Sequence, residues 1–164
     1  MDKLLRMRGG KNVAVILLKE AKRLTVYGLP LMLIDDKVLD DLLAQAKASP
    51  RLRMNYNFHK SLDDKCHRML NAVEPGTEIP IHRHPTKDET FVILQGKVRV
   101  TTHKDDGSVM ENVVLDPLKG LYGVNIDENV WHTIAALEHS VIFECKAGPF
   151  IPHEIEGILK VENL

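Results

Sequence analysis

The chain has 164 residues, enough for one domain with a single hydrophobic core. With 44% hydrophobic and 27% charged residues it has a globular composition, and a formal net charge of -1 gives no overall pull toward nucleic acid or membrane. Cys66 and Cys145 form no CxxC pair, which argues against a thiol redox motif or a zinc knuckle and suits a reducing compartment.

Residues 1–30 hold seven Lys/Arg and two Asp/Glu, a net of +5, which leaves -6 for the rest. Their apolar run, Asn12-Val-Ala-Val-Ile-Leu-Leu18, ends at Lys19-Glu-Ala-Lys-Arg23. It is far short of the roughly 20 residues a spanning helix needs, and no small-residue cleavage site follows it. A cytoplasmic protein is expected, with no membrane or nucleic-acid partner. Gly9-Gly10 and Gly28-Leu-Pro30 break the segment. It reads as an N-terminal extension: a short helix, a loose arm, or a stretch ahead of a true start at Met32.

Residues 31–164 read as one domain. Asp35 or Asp36 is a good N-cap for a helix over 35–48, with Val38, Leu39, Leu42, Leu43 and Ala46 on one face. Ser49-Pro50 stops it. From there to about residue 147 the pattern is short segments of period two. They fall near 51–58, 66–73, 79–84, 89–95, 97–103, 109–115, 121–126, 131–136 and 140–146, with turn residues between them. Many short strands at this spacing indicate an all-β sandwich or barrel. The tail beyond Gly148-Pro149 is expected to cross the barrel or a neighbouring subunit. Exposed strand edges allow a homodimer.

The chemistry sits in Gly76-Thr-Glu-Ile-Pro-Ile-His82-Arg-His84-Pro-Thr-Lys-Asp-Glu89-Thr-Phe-Val-Ile-Leu-Gln-Gly96. His82 and His84 are two apart, so on one strand they point the same way. Pro85 to Asp88 supply a turn, and Glu89 opens the next strand beside them. A fourth ligand should come from another strand, where His132 is best placed. Imidazoles and a carboxylate suit one divalent transition metal, with Zn, Mn, Fe and Ni all open.

This run resembles the first cupin motif, G-x5-H-x-H-x4-E-x6-G, at every spacing. The second motif is recognisable in Gly120 or Gly123 and His132, with Asp127 where a proline is expected and Asn129 where a glycine is. Asn tolerates positive φ better than other non-glycine residues, so that turn can survive. The resemblance implies a cupin barrel (a jelly roll, or double-stranded β-helix) behind a short N-terminal helical segment. It narrows at Ser49-Pro-Arg51-Leu-Arg53-Met-Asn55-Tyr-Asn57-Phe-His59, at Arg68 through Gly76, at Trp131-His-Thr133 and at Glu144-Cys-Lys-Ala-Gly-Pro149. These are similar to the WbuC-type cupin metalloproteins, a bacterial family associated with surface-polysaccharide (O-antigen) gene clusters.

Arg51, Arg53, Asn55, Asn57 and His59 make one face of their strand wholly polar. Such a row is ordinarily solvated. Part of it at the barrel mouth would bind substrate, arginine gripping an anionic group and asparagine a hydroxyl. Arg53, Asn55, Asn57 and Arg68 are the candidates. Glu144, on a face with Ile142 and Lys146, reads first as an internal pair with Lys146 or an exposed residue, and is also the candidate catalytic carboxylate. Trp131 faces away from His132 and reads as packing, while His103, His139 and His153 read as solvated. The two cysteines read as small apolar residues in strands.

The expected function is a metal-dependent enzyme on a small polar or anionic molecule such as a sugar or nucleotide sugar. It would be isomerase- or epimerase-like, with Glu144 carrying the proton. An iron-dependent dioxygenase is a second reading, disfavoured by 5% aromatics. A non-catalytic sugar- or metal-binding module is a third. Sugar-sensing regulators of this kind usually carry a helix-turn-helix, and the sequence shows no pattern for one.

Overall fold

The computed structural model describes residues 15–18, 23–26, 32–152 and 157–159. They divide into two units, 1–34 and 35–164. In the first, strands β1 (Val15–Leu18) and β2 (Arg23–Val26) pair antiparallel, with Val15 opposite Val26. A short helix or loose arm was the expectation there, and β-branched residues in both runs favour strand instead. The remainder of residues 1–31 lies outside the described residues.

The second unit opens with helix α1 (Asp36–Ala48). Asp35 caps it, its carboxylate accepting the Val38 N–H at 3.1 Å, a contact of about 1 kcal/mol. Leu39, Leu42 and Ala46 bury its apolar stripe against Leu70, Ala72 and Val141. Those three residues belong to the outer face of a sheet, so α1 covers that sheet from outside.

Eight further strands follow: β3 (Arg53–Asn57), β4 (Cys66–Val73), β5 (Glu89–Gln95), β6 (Val98–His103), β7 (Val109–Leu115), β8 (Gly123–Ile126), β9 (Trp131–Ala136) and β10 (Ser140–Ala147). They form a five-stranded sheet, order β3-β4-β10-β5-β8, and a three-stranded sheet, order β7-β6-β9. Every pairing is antiparallel. The inner faces enclose a core of Val73, Phe91, Ile93, Val98, Val100, Leu115, Ile126 and Ile142. The architecture is an all-β jelly-roll barrel with one short helix.

One expected strand is absent. Residues 79–84 form no strand, because Pro80 and Pro85 lack the N–H groups a ladder needs. The segment is pinned instead at His82, which makes single bridges to His132 on one side and Ile158 on the other. The Leu159 N–H donates to the Ile81 carbonyl at 2.8 Å, so the tail crosses the barrel wall beside a candidate ligand.

Register decides what faces inward. Directly opposed residues share a face, so Met69, Glu144, Phe91 and Val124 make one inner row across the sheet. His67, Lys146, Glu89 and Ile126 make the next. Each row carries a glutamate, and the second also carries Lys146, at the end of an otherwise apolar barrel.

Candidate metal centre

His82 and His84 come from the proline-flanked segment, Glu89 from the first residue of β5 and His132 from the second residue of β9. All four are buried, and one donor atom from each lies within 4.8 Å of all the others. Metal–nitrogen and metal–oxygen bonds of about 2.0–2.2 Å hold donors at most about 4.4 Å apart, so a slight contraction closes the set on one ion.

The backbone fixes the tautomers. Nδ1 of His82 lies 2.9 Å from the Pro80 carbonyl and Nδ1 of His132 lies 2.9 Å from the Val130 carbonyl. A carbonyl only accepts, so each Nδ1 carries the proton and each Nε2 keeps its lone pair for a metal. Nε2 of His132 is buried and makes no hydrogen bond, and the buried Oε2 of Glu89 has only the His84 ring at 3.0 Å and the Lys146 ammonium at 3.8 Å beside it. An orphaned buried nitrogen is costly, and a divalent cation satisfies it and takes the Glu89 oxygen as well. These residues fit a metal ion on their own chemistry.

Electrostatics prepare the same state. Burial pushes the Glu89 carboxyl up, but the His84 ring at 3.0 Å, the Lys146 ammonium at 3.8 Å and the His132 ring outweigh it and hold Glu89 well below the ordinary range. Burial, partly opposed by the Glu89 charge, lowers the pKa of His132 and favours its neutral form.

Beside the four donors sits a second polar group. Lys146 Nζ is 2.9 Å from Glu144 Oε1 and 3.5 Å from His84 Nε2. Asn71 Nδ2 donates to Glu144 Oε2 at 2.6 Å. Burial, helped by the Glu89 charge, pushes the Glu144 carboxyl up to about 7, against the pull of Lys146. Both groups open on a cavity of about 350 Å³ whose walls include His82, Glu89 and His132.

The expected substrate residues divide. Arg53 and Asn55 line the cavity, and Arg51 joins them. Asn57 does not line it, although its Oδ1 accepts from Asn55 Nδ2 at 2.8 Å. Arg68 is a correction. It lies exposed on the outer face of β4, the face whose Leu70 and Ala72 pack against α1. The inward face of β4 carries His67, Met69, Asn71 and Val73. Asn71 drew no attention in the sequence, because only the pairing of Asn55 with Asn71 brings it to the site.

Residues read as bland are placed as follows. Trp131 is buried, with Arg83 stacked 4.2 Å from its ring and its indole N–H donating to Asp105 at 2.9 Å. His139 is exposed and touches Glu74. His103 is half-buried, its Nδ1 2.9 Å from the Gly107 carbonyl, and His153 lies outside the described residues. His59 is not at the mouth but buried, stacked on His67 at 4.1 Å. Cys66 and Cys145 are free thiols with their sulfurs 3.8 Å apart.

Among solved structures, the chain is similar to the capsular polysaccharide assembling protein CapF from Staphylococcus aureus, at 21% identity and TM-score 0.52. That match covers 70% of this chain and 33% of CapF. It is similar to TT1209 from Thermus thermophilus, at 21% identity and TM-score 0.50, over 71% of this chain and 97% of that one. A cupin superfamily protein from Desulfitobacterium hafniense matches at 16% identity and TM-score 0.47, over 58% of this chain and 76% of that one. These likenesses concern the fold. No curated protein matches the sequence. Among the described residues no helix is long and apolar enough to cross a membrane. The two-sheet barrel has the fold of these neighbours, with a candidate metal site in it. A family model described as a domain of unknown function, DUF6016, matches residues 34–115, and the chain belongs to that family.

Proposed function

We propose that the protein is a metal-dependent enzyme acting on a small polar substrate, of the sugar isomerase or epimerase kind. The observation that carries this reading is Glu144, a carboxyl that burial pushes up to about 7, opening on the same cavity as His82, Glu89 and His132. A general acid–base poised near neutrality is what proton transfer requires.

His82, His84, Glu89 and His132 would hold one divalent ion, Zn, Mn, Fe or Ni. When bound, that ion supplies Lewis-acid polarisation of a substrate oxygen, which acidifies the neighbouring C–H. Glu144 takes the proton from that carbon and returns it. Asn71 and Lys146 hold the Glu144 carboxylate by its two oxygens, which fixes its aim. Lys146 also compensates the charge of Glu144 once it has lost its proton. Phe91, in the row of Glu144, adds an apolar side chain to the cavity wall. Asn55 offers its carboxamide to a substrate hydroxyl.

The surface-polysaccharide setting and a cytoplasmic location are part of the proposal. They rest on the similarity of residues 49–59, 68–76, 131–133 and 144–149 to WbuC-type cupins. The test is the Glu144→Gln variant of metal-loaded protein, assayed against sugar phosphates and nucleotide sugars by solvent-deuterium incorporation. Exchange catalysed by the wild type and lost in E144Q, at equal metal content, supports the reading. Ligand-induced stabilisation with no exchange and no product would make the protein a binding module.

A further inference from the structure

The mouth of the cavity carries a feature that proton transfer at the metal does not use. Arg51 and Arg53 both line it, on either side of Leu52. Leu52 stands at φ 54, in the left-handed region that a branched side chain avoids. Two backbone hydrogen bonds at 2.9 Å hold it there, its N–H to the Ser49 carbonyl and the Glu74 N–H to its own carbonyl. The Arg53 guanidinium donates to the Glu78 carbonyl, which fixes it at the rim. Among the described residues neither arginine has a carboxylate partner.

The charges inside the cavity deepen the imbalance. Glu144 is engaged by Lys146 and Asn71, and Glu89 lies among the histidines and Lys146. Neither faces an arginine as a partner. Arg51, Arg53 and Lys146 therefore outnumber the two carboxylates before any divalent ion is counted. Two guanidiniums without a carboxylate partner, over a positive cavity, favour an oxyanion, which arginine binds through paired N–H donors. A cleft of one sign also concentrates its counter-charge. The volume, about 350 Å³, is at the small end for a ligand site.

We infer that the substrate is a small polyhydroxylated oxyanion, with its carboxylate or phosphate gripped by Arg51 and Arg53 at the mouth and its uncharged, reacting end directed at the metal donors and Glu144. This rests on the reading of the cavity as a substrate site. It adds Arg51 to the recognition set and gives the substrate one orientation. The two arginines are binding residues, and they take no part in moving the proton.

The experiment is calorimetry on the full, metal-loaded chain with four probes: glucose, glucuronate, glucose 6-phosphate and inorganic phosphate. Variants are Arg51→Gln, Arg53→Gln, the double variant and Arg53→Lys, each checked for metal content. We expect glucuronate or glucose 6-phosphate to bind at least about tenfold more tightly than glucose. The stronger of the two distinguishes a carboxylate from a phosphate. Each single Gln variant should lose about tenfold in that affinity, from one lost charge-assisted pair. The double variant should lose about a hundredfold, and R53K should restore part of the loss. Inorganic phosphate should compete in the wild type and not in the double variant.

Equal binding of glucose and the two anions would overturn the inference. So would anion affinity unchanged in a double variant that keeps its metal, or no binding of any probe at millimolar concentration. The outcome is separate from the enzymatic reading. Oxyanion binding that needs the arginines, with no exchange dependent on Glu144, would sink that reading and leave the oxyanion site standing as that of a ligand that does not react.

Discussion

His82 and His132 exchange backbone hydrogen bonds in both directions, at 3.0 and 2.8 Å. That closed pair sets their rings 4.4 Å apart, with both Nδ1 atoms tied to carbonyls. A residue outside any strand is thereby registered to one inside β9. The backbone ties the two ligands together, so the members of the donor set are expected to act as a unit.

Replacing His132 by Ala or Glu89 by Gln should therefore weaken metal binding severely. Loss of residues that merely orient ligands costs about 10–100-fold, and loss of a ligand should cost no less. Elemental analysis of protein dialysed against a mild chelator reads the result. Stoichiometric metal in both variants would remove the four-residue site.

Metal retention should extend below pH 6.5, the ordinary value for a histidine. Binding needs neutral imidazoles and an ionised Glu89. Burial lowers the pKa of His132, and its neighbours hold Glu89 low, so the competent state survives mild acid. In the metal-free protein the sign for His132 follows from its lowered folded value. The unfolded chain binds the proton first, so stability is lost as pH falls through the unfolded pKa and below. A chelator-release titration that finds half-loss above that ordinary value would contradict this.

Glu144 acts in the opposite sense. Its folded pKa, about 7, lies above the ordinary 4.5, so the folded state holds a proton the unfolded chain has released. Stability then falls as pH rises from about 4.5 to 7, by roughly 2–3 kcal/mol for this one group. Glu144→Gln should flatten that slope in urea unfolding of metal-free protein at about pH 5 and about pH 8, on either side of that window. With metal bound the wild-type slope should shrink, because a divalent charge pulls the carboxyl down. An unchanged slope in the metal-free variant would show that Glu144 is not the buried acid.

Gly96 closes the first motif for a steric reason. It sits at φ +81, and a Cβ there would stand 2.1 Å from the His139 carbonyl oxygen. Gly96→Ala should destabilise the barrel by more than the roughly 1 kcal/mol of an ordinary glycine effect, or prevent folding. Thermal melts, or expression in the soluble fraction, measure it.

The four candidate ligands were legible because the spacing of histidines and a glutamate survives any detail of the strands between them. Asn129 was legible too, and it stands at φ 65, where asparagine replaces glycine at least cost. Two things were not legible. Period two says that Arg68, Leu70 and Ala72 share a face, but not that α1 covers that face and leaves Asn71 inside. Two prolines around His82 turned an expected strand into an irregular segment, yet the histidines still converge, because the bridges to His132 and Ile158 do the work of a ladder. The Glu144–Lys146 pair followed from their spacing, whereas its closeness to Glu89 depends on β10 lying between β4 and β5.

The donors are shared between the layers of the barrel. Glu89 belongs to the five-stranded sheet and His132 to the three-stranded one, and the main apolar core fills the space between. An ion taken up here would also be a clasp between the sheets, closing the long loop from residue 82 to residue 132. Its effect would then be kinetic as well as chemical. With the clasp closed, the sheets could part only after a ligand lets go, so amides of β5 and β9 should exchange with solvent more slowly as the ion is taken up.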